Sequence, residues 1–331
     1  MSRRNSKYVP GIAQLQFEPD YDWEIKEAEK MYNDYNIEFK ESNKIIYKDC
    51  ISGINELPTE SIDLIIADPP FGIEFDSMES IYNRKSEFVI EGYSEIKEDY
   101  DVFTLKWISG LPRIMKDTAS VFIFSGWTNL NDVLTALKKA KLEVINHIIW
   151  KYQFGVFTKR KFVTSHYHIL FAVKNKSKYF FNKFENYPLD VWDIPRNYMP
   201  GQKKNITKLP EDVVIRIIDF CSKPGDLILD PFMGNGTTAV CAKLTYRHFL
   251  GFEINEKMKE IINDNLSNAK LGERYRPYYT FMPSLEELIE KYPNIRKYLE
   301  NKDNLKKISK FYREQFLGVK PNSKSKISDY F

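Results

Sequence analysis

Two short stretches carry side chains suited to chemistry. The first is Asp68-Pro69-Pro70-Phe71, directly behind the apolar run Ile62-Asp63-Leu64-Ile65-Ile66-Ala67. The exocyclic amine of adenine or cytosine is a poor nucleophile, because its lone pair is delocalised into the ring. A carboxylate and a carbonyl that accept its two N–H bonds favour a more pyramidal, nucleophilic nitrogen. Asp68 supplies the carboxylate. Pro69 supplies the carbonyl, and the two prolines fix its direction because their φ is locked. Phe71 offers a ring on which a flat base can stack. The reading without chemistry is an Asp that caps a helix at a proline turn.

The second stretch is Asp230-Pro231-Phe232-Met233-Gly234-Asn235-Gly236-Thr237-Thr238, behind Leu227-Ile228-Leu229. Gly234 and Gly236 allow positive φ and let backbone approach a ligand closely. The Thr pair is expected to cap the helix that follows. Glu253 ends the next apolar run, where an acid can grip both hydroxyls of a ribose. The third glycine of a dinucleotide fingerprint is missing, and no GKS or GKT marks a phosphate loop. A glycine turn with a ribose acid and no phosphate machinery favours a nucleoside without pyrophosphate, and S-adenosylmethionine fits.

These turns need a scaffold, and the pattern of the chain describes one. Strands are expected at Ile45 to Tyr47, Asp63 to Ala67, Ser120 to Phe124, Glu143 to Trp150, Tyr167 to Val173, Leu227 to Leu229 and His248 to Gly251. Helices are expected at Trp23 to Tyr35, Ile54 to Leu57, Thr104 to Met115, Asn129 to Ala140, Pro210 to Cys221, Thr237 to Leu244 and Glu256 to Asn268. Strands alternating with helices predict an α/β fold with a doubly wound, mostly parallel sheet. Ligands bind such sheets at the carboxyl ends of the strands, near the switch point. Asp49, Asp68, Asp230 and Glu253 all fall at expected strand ends.

The organisation expected is an N-terminal arm over 1–42, a catalytic domain over 43–271 and a small helical appendage over 272–331. Residues 73–101 inside the catalytic domain read as a long loop, with Tyr82, Phe88 and Tyr93 as candidates to close over a ligand. The chain has 331 residues, 43% of them hydrophobic, and a net charge of +3. Basic clusters mixed with aromatics, such as Thr158-Lys159-Arg160-Lys161 and Lys297 to Lys326, can follow a phosphate backbone. The three cysteines lack CxxC spacing and the four histidines lack HExxH, so neither a metal site nor a disulfide framework is expected. No apolar run reaches the roughly 18 residues of a membrane span. A soluble, cytoplasmic, DNA-associated protein without a signal peptide is expected.

With both motifs in place, the chain resembles the amino-group DNA methyltransferases, in particular the β group with its permuted motif order. There the catalytic Asp/Ser-Pro-Pro-Tyr/Phe motif precedes the S-adenosylmethionine motif, as Asp68 to Phe71 precede Asp230 to Thr238 here. The resemblance covers roughly residues 44–268. It implies a Rossmann-like methyltransferase fold with S-adenosylmethionine as cofactor. It assigns catalysis to Asp68, Pro69, Pro70 and Phe71. It assigns the cofactor to Asp49, near the adenine, and to Asp230, Phe232, Gly234, Asn235, Gly236, Thr237 and Glu253. Asn205 to Pro210 stand where the family has His-Pro-Thr-x-Lys-Pro, which adds Thr207 and Lys208. Ile148 to Lys151 and Ser165 to Leu170 resemble the strands flanking the target-base pocket, and Asp190 to Pro195 are also family-like.

Members acting on adenine N6 usually carry Asp in the tetrapeptide, and those acting on cytosine N4 usually carry Ser. Asp68 therefore implies adenine. An N4-cytosine enzyme of the same fold, or a DNA-binding relative without activity, are the alternatives. The partner implied is double-stranded DNA with a flipped base. A cognate restriction endonuclease and a homodimer are the further partners the resemblance suggests. Target recognition is expected to be shared between 73–101, 152–165 and the appendage.

Overall fold

The protein is represented by a computed structural model that describes residues 21–34, 42–70, 99–153, 159–183, 185, 187–196, 209–276 and 290. Expectations for Phe71, Thr207, Lys208, most of the 73–101 loop and the helices of the appendage lie outside those residues. In chain order the elements are α1 (Tyr21–Asn33), β1 (Lys44–Tyr47), α2 (Cys50–Glu56), β2 (Ile62–Ala67), α3 (Tyr100–Ile114), β3 (Met115–Ser125), α4 (Leu130–Lys139) and β4 (Glu143–Lys151). They continue with β5 (His166–Val173), β6 (Val191–Asp193), α5 (Glu211–Cys221), β7 (Leu227–Asp230), α6 (Thr237–Leu244), β8 (His248–Glu253) and α7 (Met258–Asn268). The chain divides into two compact units, Ala28–Tyr275 and the combination of Met1–Glu27 with Arg276–Phe331. The sheet belongs to the first.

Eight strands form one sheet in the order β1-β8-β7-β2-β3-β5-β4-β6. All neighbours are parallel except the two pairings of β5. Every residue of β2 is buried, which explains its apolar run without polar alternation. Leu64 and Ile66 pack on one face with α5, α6 and α7. Ile65 and Ala67 pack on the other with α2, α3 and α4. Each fully buried Ile or Leu contributes roughly 1.5–3 kcal/mol. Helices on both faces and a parallel centre make the sheet doubly wound, as expected.

The switch point lies between β7 and β2. From β2 the chain crosses by α3 to β3 on one side, and from β7 by α6 to β8 on the other. Asp68 follows the last residue of β2, and Asp230 is the last residue of β7. The residues the sequence placed at strand ends therefore share one edge. Across it stand Asp49 behind β1, Glu253 on β8, Asp230 on β7 and Asp68 behind β2, on four adjacent strands.

Several elements differ from the sequence expectation. Helix α2 begins at Cys50 and not at Ile54, because Asp49 caps it: its Oδ1 accepts the Ser52 N–H at 3.0 Å. Helix α3 starts at Tyr100 and runs into β3 without a loop, although Pro112 lies inside it. Strand β3 is eleven residues long, extending the expected strand back to Met115. Strand β6 carries too few residues to show a period, and it follows β4 in parallel from Ile149↔Val191 to Lys151↔Asp193.

Candidate active site

The glycine turn is built from the backbone outward. Gly234 has φ +54 and Gly236 φ +84, a region that disfavours residues with a Cβ. A Cβ on Gly236 would meet Ile262 of α7 at 3.0 Å, whereas one on Gly234 would meet nothing nearer than the Phe232 carbonyl at 3.8 Å. The turn is thus packed behind Gly236 and open at Gly234. Asp230 Oδ1 accepts the Phe232 N–H at 2.9 Å and closes the start of the turn. The Thr pair does not cap α6 as expected. Gly236 itself is the N-cap, without a side-chain hydrogen bond. The Thr237 hydroxyl instead donates to Asn235 Oδ1 at 2.9 Å, and Thr238 bonds Asp230.

Glu253 holds the other side of this half. Its Oε2 accepts the Gly234 N–H at 2.7 Å, and its Oε1 accepts the Asn255 N–H at 2.8 Å. Each oxygen keeps a second lone pair, so the carboxylate can be fixed and still receive a ribose hydroxyl. Phe232 is half-buried. Its ring stands edge-on to Trp107 at 5.2 Å and 6.0 Å from Phe103, both of α3. Open space at Gly234, a ring at Phe232 and a carboxylate at Glu253 suit a nucleoside. The Asp230 to Thr238 turn carries no Lys or Arg for a phosphate. The donor set fits S-adenosylmethionine.

Asp68 is the acid of this edge that no described residue hydrogen-bonds. It keeps part of its surface open while protein surrounds it closely. Loss of water, then the nearby Asp230, raise its pKa to about 7, and Arg196 opposes them. Asp230 also rises to about 7, first through burial, against its bonds to Thr238 and the Phe232 N–H. The Glu253 carboxyl is raised by burial as well. Asp68 directly behind β2 and Asp230 ending the neighbouring parallel β7 put the two motif turns at adjacent strand ends. Pro69 is buried beside Asp68, and Pro70 is half-buried.

On the far side of Asp68 lies an aromatic cluster that the sequence reading only touched. Trp150 is the penultimate residue of β4, Tyr152 follows the strand, and Tyr167 pairs with Trp150 from β5. Trp150 and Tyr167 stack at 5.7 Å, and Tyr152 stands 5.7 Å from Trp150. The Trp150 Nε1 donates to the Ile194 carbonyl at 2.8 Å, tying the cluster to the segment behind β6. Arg196 was not foreseen. Its place after Asp190 to Pro195 was visible, but no residue spacing tied it to Asp68. Among the described residues, no group of His, Cys, Asp and Glu could hold a metal ion. No described helix is long and apolar enough to cross a membrane.

Fold and site together define a methyltransferase of the nucleoside-binding, doubly wound class. A model of the N6/N4 DNA methylase family matches residues 62–264, and the chain belongs to that S-adenosylmethionine-dependent family. The type II methyltransferase M.HinfI of Haemophilus influenzae is 28% identical over 257 residues, covering 69% of each chain. The DNA adenine methyltransferase YhdJ of Escherichia coli K12 is 29% identical over 249 residues, 66% of this chain and 80% of that one. The solved complex of M1.HpyAVI with SAM superposes with a TM-score of 0.52 at 23% identity, over 67% of this chain and 98% of that one. It shares the fold.

Proposed function

We propose that the protein methylates the N6 amine of a flipped adenine in double-stranded DNA. The observation that carries this reading is Asp68, to which no described residue hydrogen-bonds, at the end of the strand next to the one that leads into the glycine turn. S-adenosylmethionine supplies an electrophilic methyl group when bound. Gly234, Phe232, Asp230, Asn235, Gly236, Thr237 and Glu253 bind and orient it, with Asp49 at the adenine end and Thr207 and Lys208 at the other. Asp68 and the Pro69 carbonyl accept the two amine hydrogens, and Phe71 stacks on the base. The gain comes mainly from positioning, with no covalent intermediate on the enzyme. A carboxyl with a pKa near neutrality can also take up the proton the amine must release.

An Asp in the tetrapeptide and the kinship with YhdJ support adenine over cytosine. Base flipping is needed because the amine of a stacked base cannot reach the sheet edge. Lys159, Arg160 and Lys161, between β4 and β5, support a duplex lying over that edge. The 73–101 loop and the 272–331 appendage share in recognition. The kinship with a type II methyltransferase supports a cognate restriction endonuclease, and the family resemblance supports a homodimer working in the cytoplasm on the nucleoid.

The test is methyl transfer from labelled cofactor to mixed-sequence DNA, followed by nucleoside analysis. Labelled N6-methyladenine is the expected product. Label in N4-methylcytosine, or none, overturns the reading.

A further inference from the structure

Among the described residues two arginines sit on aromatic rings, and they end differently. The Arg216 guanidinium, on α5, lies 4.9 Å from the Phe220 centroid and 5.2 Å from that of Trp192, and its fork closes on the Glu185 carboxylate at 2.5 and 2.8 Å. The Arg196 guanidinium, behind β6, lies 4.1 Å from the Tyr152 centroid, 4.9 Å from Tyr167 and 5.3 Å from Trp150. No described residue accepts a hydrogen bond from that guanidinium. Arg113, Arg247 and Arg274 all spend side-chain N–H groups on carbonyls or carboxylates. Asp193, three residues before Arg196, is paired with Lys151 at 2.7 Å. Arg196 thus carries an open fork on a ring seat.

The seat is fixed from two sides. The Arg196 N–H donates to Gln153 Oε1 at 3.0 Å, and Gln153 Nε2 donates to the Arg196 carbonyl at 3.0 Å. Guanidinium over aromatic faces is a favourable contact, stronger when water is excluded, and Trp150 and Tyr152 are buried. The seat also has a definite place. Strand β5 is antiparallel to both β3 and β4, so β4 and its parallel neighbour β6 point the same way as β2 and β3. Arg196, beyond the end of β6, therefore stands at the carboxyl edge that also carries Asp68 and Asp230. Exposed Lys159, Arg160 and Lys161 lie between β4 and β5 at that same edge.

We propose that Arg196, seated on Tyr152, Tyr167 and Trp150, is a DNA contact whose open fork takes a backbone phosphate of the bound duplex. The inference deepens the proposed function and rests on it. A half-buried guanidinium has given up part of its water and still lacks an anion. Its rigid fork matches two oxygens of one anion, and the two non-bridging oxygens of a phosphodiester supply them together with the missing charge. A base edge would offer acceptors but no charge. Such a contact fixes how the duplex lies over the edge and carries no sequence information.

The test is the salt dependence of DNA binding, which a purely structural arginine would not move. A fluorescein-labelled duplex of mixed sequence is titrated with protein by anisotropy, with S-adenosylhomocysteine present, from about 50 to 200 mM salt. Each phosphate neutralised adds about 0.9 to the slope of log K against log salt. In Arg196→Gln the slope should shrink by about that amount, and affinity should fall roughly tenfold, as the loss of one charged hydrogen-bonding contact implies. Arg196→Lys, which keeps the charge without the fork, should keep the parent slope and bind between the two. Sequencing of the methylated DNA should find the same sites in all three proteins.

A parent slope in folded Arg196→Gln overturns the proposal. So does a changed set of methylated sites, which would make Arg196 a reader of bases. If Arg196→Gln fails to fold, Gln153→Ala decides. Gln153 is exposed, and its loss unclamps the Arg196 backbone while leaving the charge. Weaker DNA binding at the parent slope is then expected, and unchanged affinity overturns the proposal. A reduced slope in Arg196→Gln with no label in adenine from the parent enzyme would overturn the proposed reaction and leave the phosphate contact standing.

Discussion

The two halves of the active edge are built on opposite plans. On the β1-β8-β7 side the acids are tied down. Asp49 caps α2, Asp230 closes its own turn, and Glu253 receives two backbone N–H groups. On the β2-to-β6 side, Asp68 accepts no hydrogen bond from a described residue, and Arg196, behind β6, rests on the rings of Tyr152, Tyr167 and Trp150. The first half is set before anything binds. The second presents a carboxyl that no described residue hydrogen-bonds and whose pKa burial raises. A small molecule that always has the same shape suits the first plan. A base arriving from outside, attached to a duplex, suits the second.

The comparison breaks most sharply at Asp68. Asp68→Asn removes the charge and replaces one acceptor oxygen by a donor NH2, and kcat should fall by about 10² to 10³ or more, the usual loss of one preorganised polar contact. The same change should stabilise the fold. An acid whose pKa is raised from 3.8 to about 7 disfavours the folded state once ionised, so its removal should raise Tm at pH 8 by roughly 2–4 °C, the shift that about 1 kcal/mol gives a domain of this size. Scanning calorimetry beside single-turnover transfer reads both effects. Equal losses in activity and Tm would show that Asp68 is structural.

Glu253→Ala attacks the opposite half. It strands the Gly234 and Asn255 N–H groups, and a buried group left without its partner costs about 1–3 kcal/mol. The cofactor Kd should rise roughly tenfold to a hundredfold by calorimetric titration, for the loss of about 1.4 to 2.8 kcal/mol. Turnover at saturating cofactor should survive. A variant with unchanged cofactor affinity would remove Glu253 from the binding site.

Stability against pH sharpens the contrast further. Asp68 and Asp230 are both raised to about 7 with burial as the leading cause. The carboxyls are protonated in the folded chain below that pH and ionise above it. Their contribution to stability is therefore lost as pH rises through 7, the reverse of an ion-paired acid. Tm measured from pH 6 to pH 8 should decline, and Asp68→Asn should flatten the decline. The smallest effect is expected at Phe162, 98% exposed beside Lys161. Phe162→Ala should raise KM for DNA about threefold to tenfold through lost stacking, with the cofactor Kd unchanged.

The cofactor half was the more legible in the sequence. Its glycines, strand ends and acid lie within one strand-turn-helix-strand unit, so spacing alone arranged them. Even there the Thr pair misled, because Gly236 in a left-handed conformation took the cap and freed the hydroxyls for Asn235 and Asp230. The base half was legible only at Asp68 and its prolines. Trp150, Tyr152, Tyr167 and Arg196 come from three segments that meet only through the antiparallel turn of β5 and a three-residue β6. Strand β6 carries no periodic signal, and its place is dictated by pairing with β4. The length of β3 was hidden for a related reason: Met115 to Ala119 mix polar and apolar residues because only the later part of the strand is buried on both faces.

Far from the chemistry, Asp63 at the lower end of β2 accepts the Leu227 N–H at 3.0 Å and bonds Lys116 at 2.8 Å. Strands β2 and β7 share only two registered positions, Leu64↔Ile228 and Ile65↔Leu229. So short a seam resists lengthwise slippage poorly, and one step of slip moves a strand by about 3.3 Å. The Asp63 carboxylate acts as a peg across that seam. It fixes, from roughly 17 Å away along β2, how level the two motif turns stand with each other. On the proposed function, donor and acceptor alignment is thus decided at the bottom of the sheet as well as at the top.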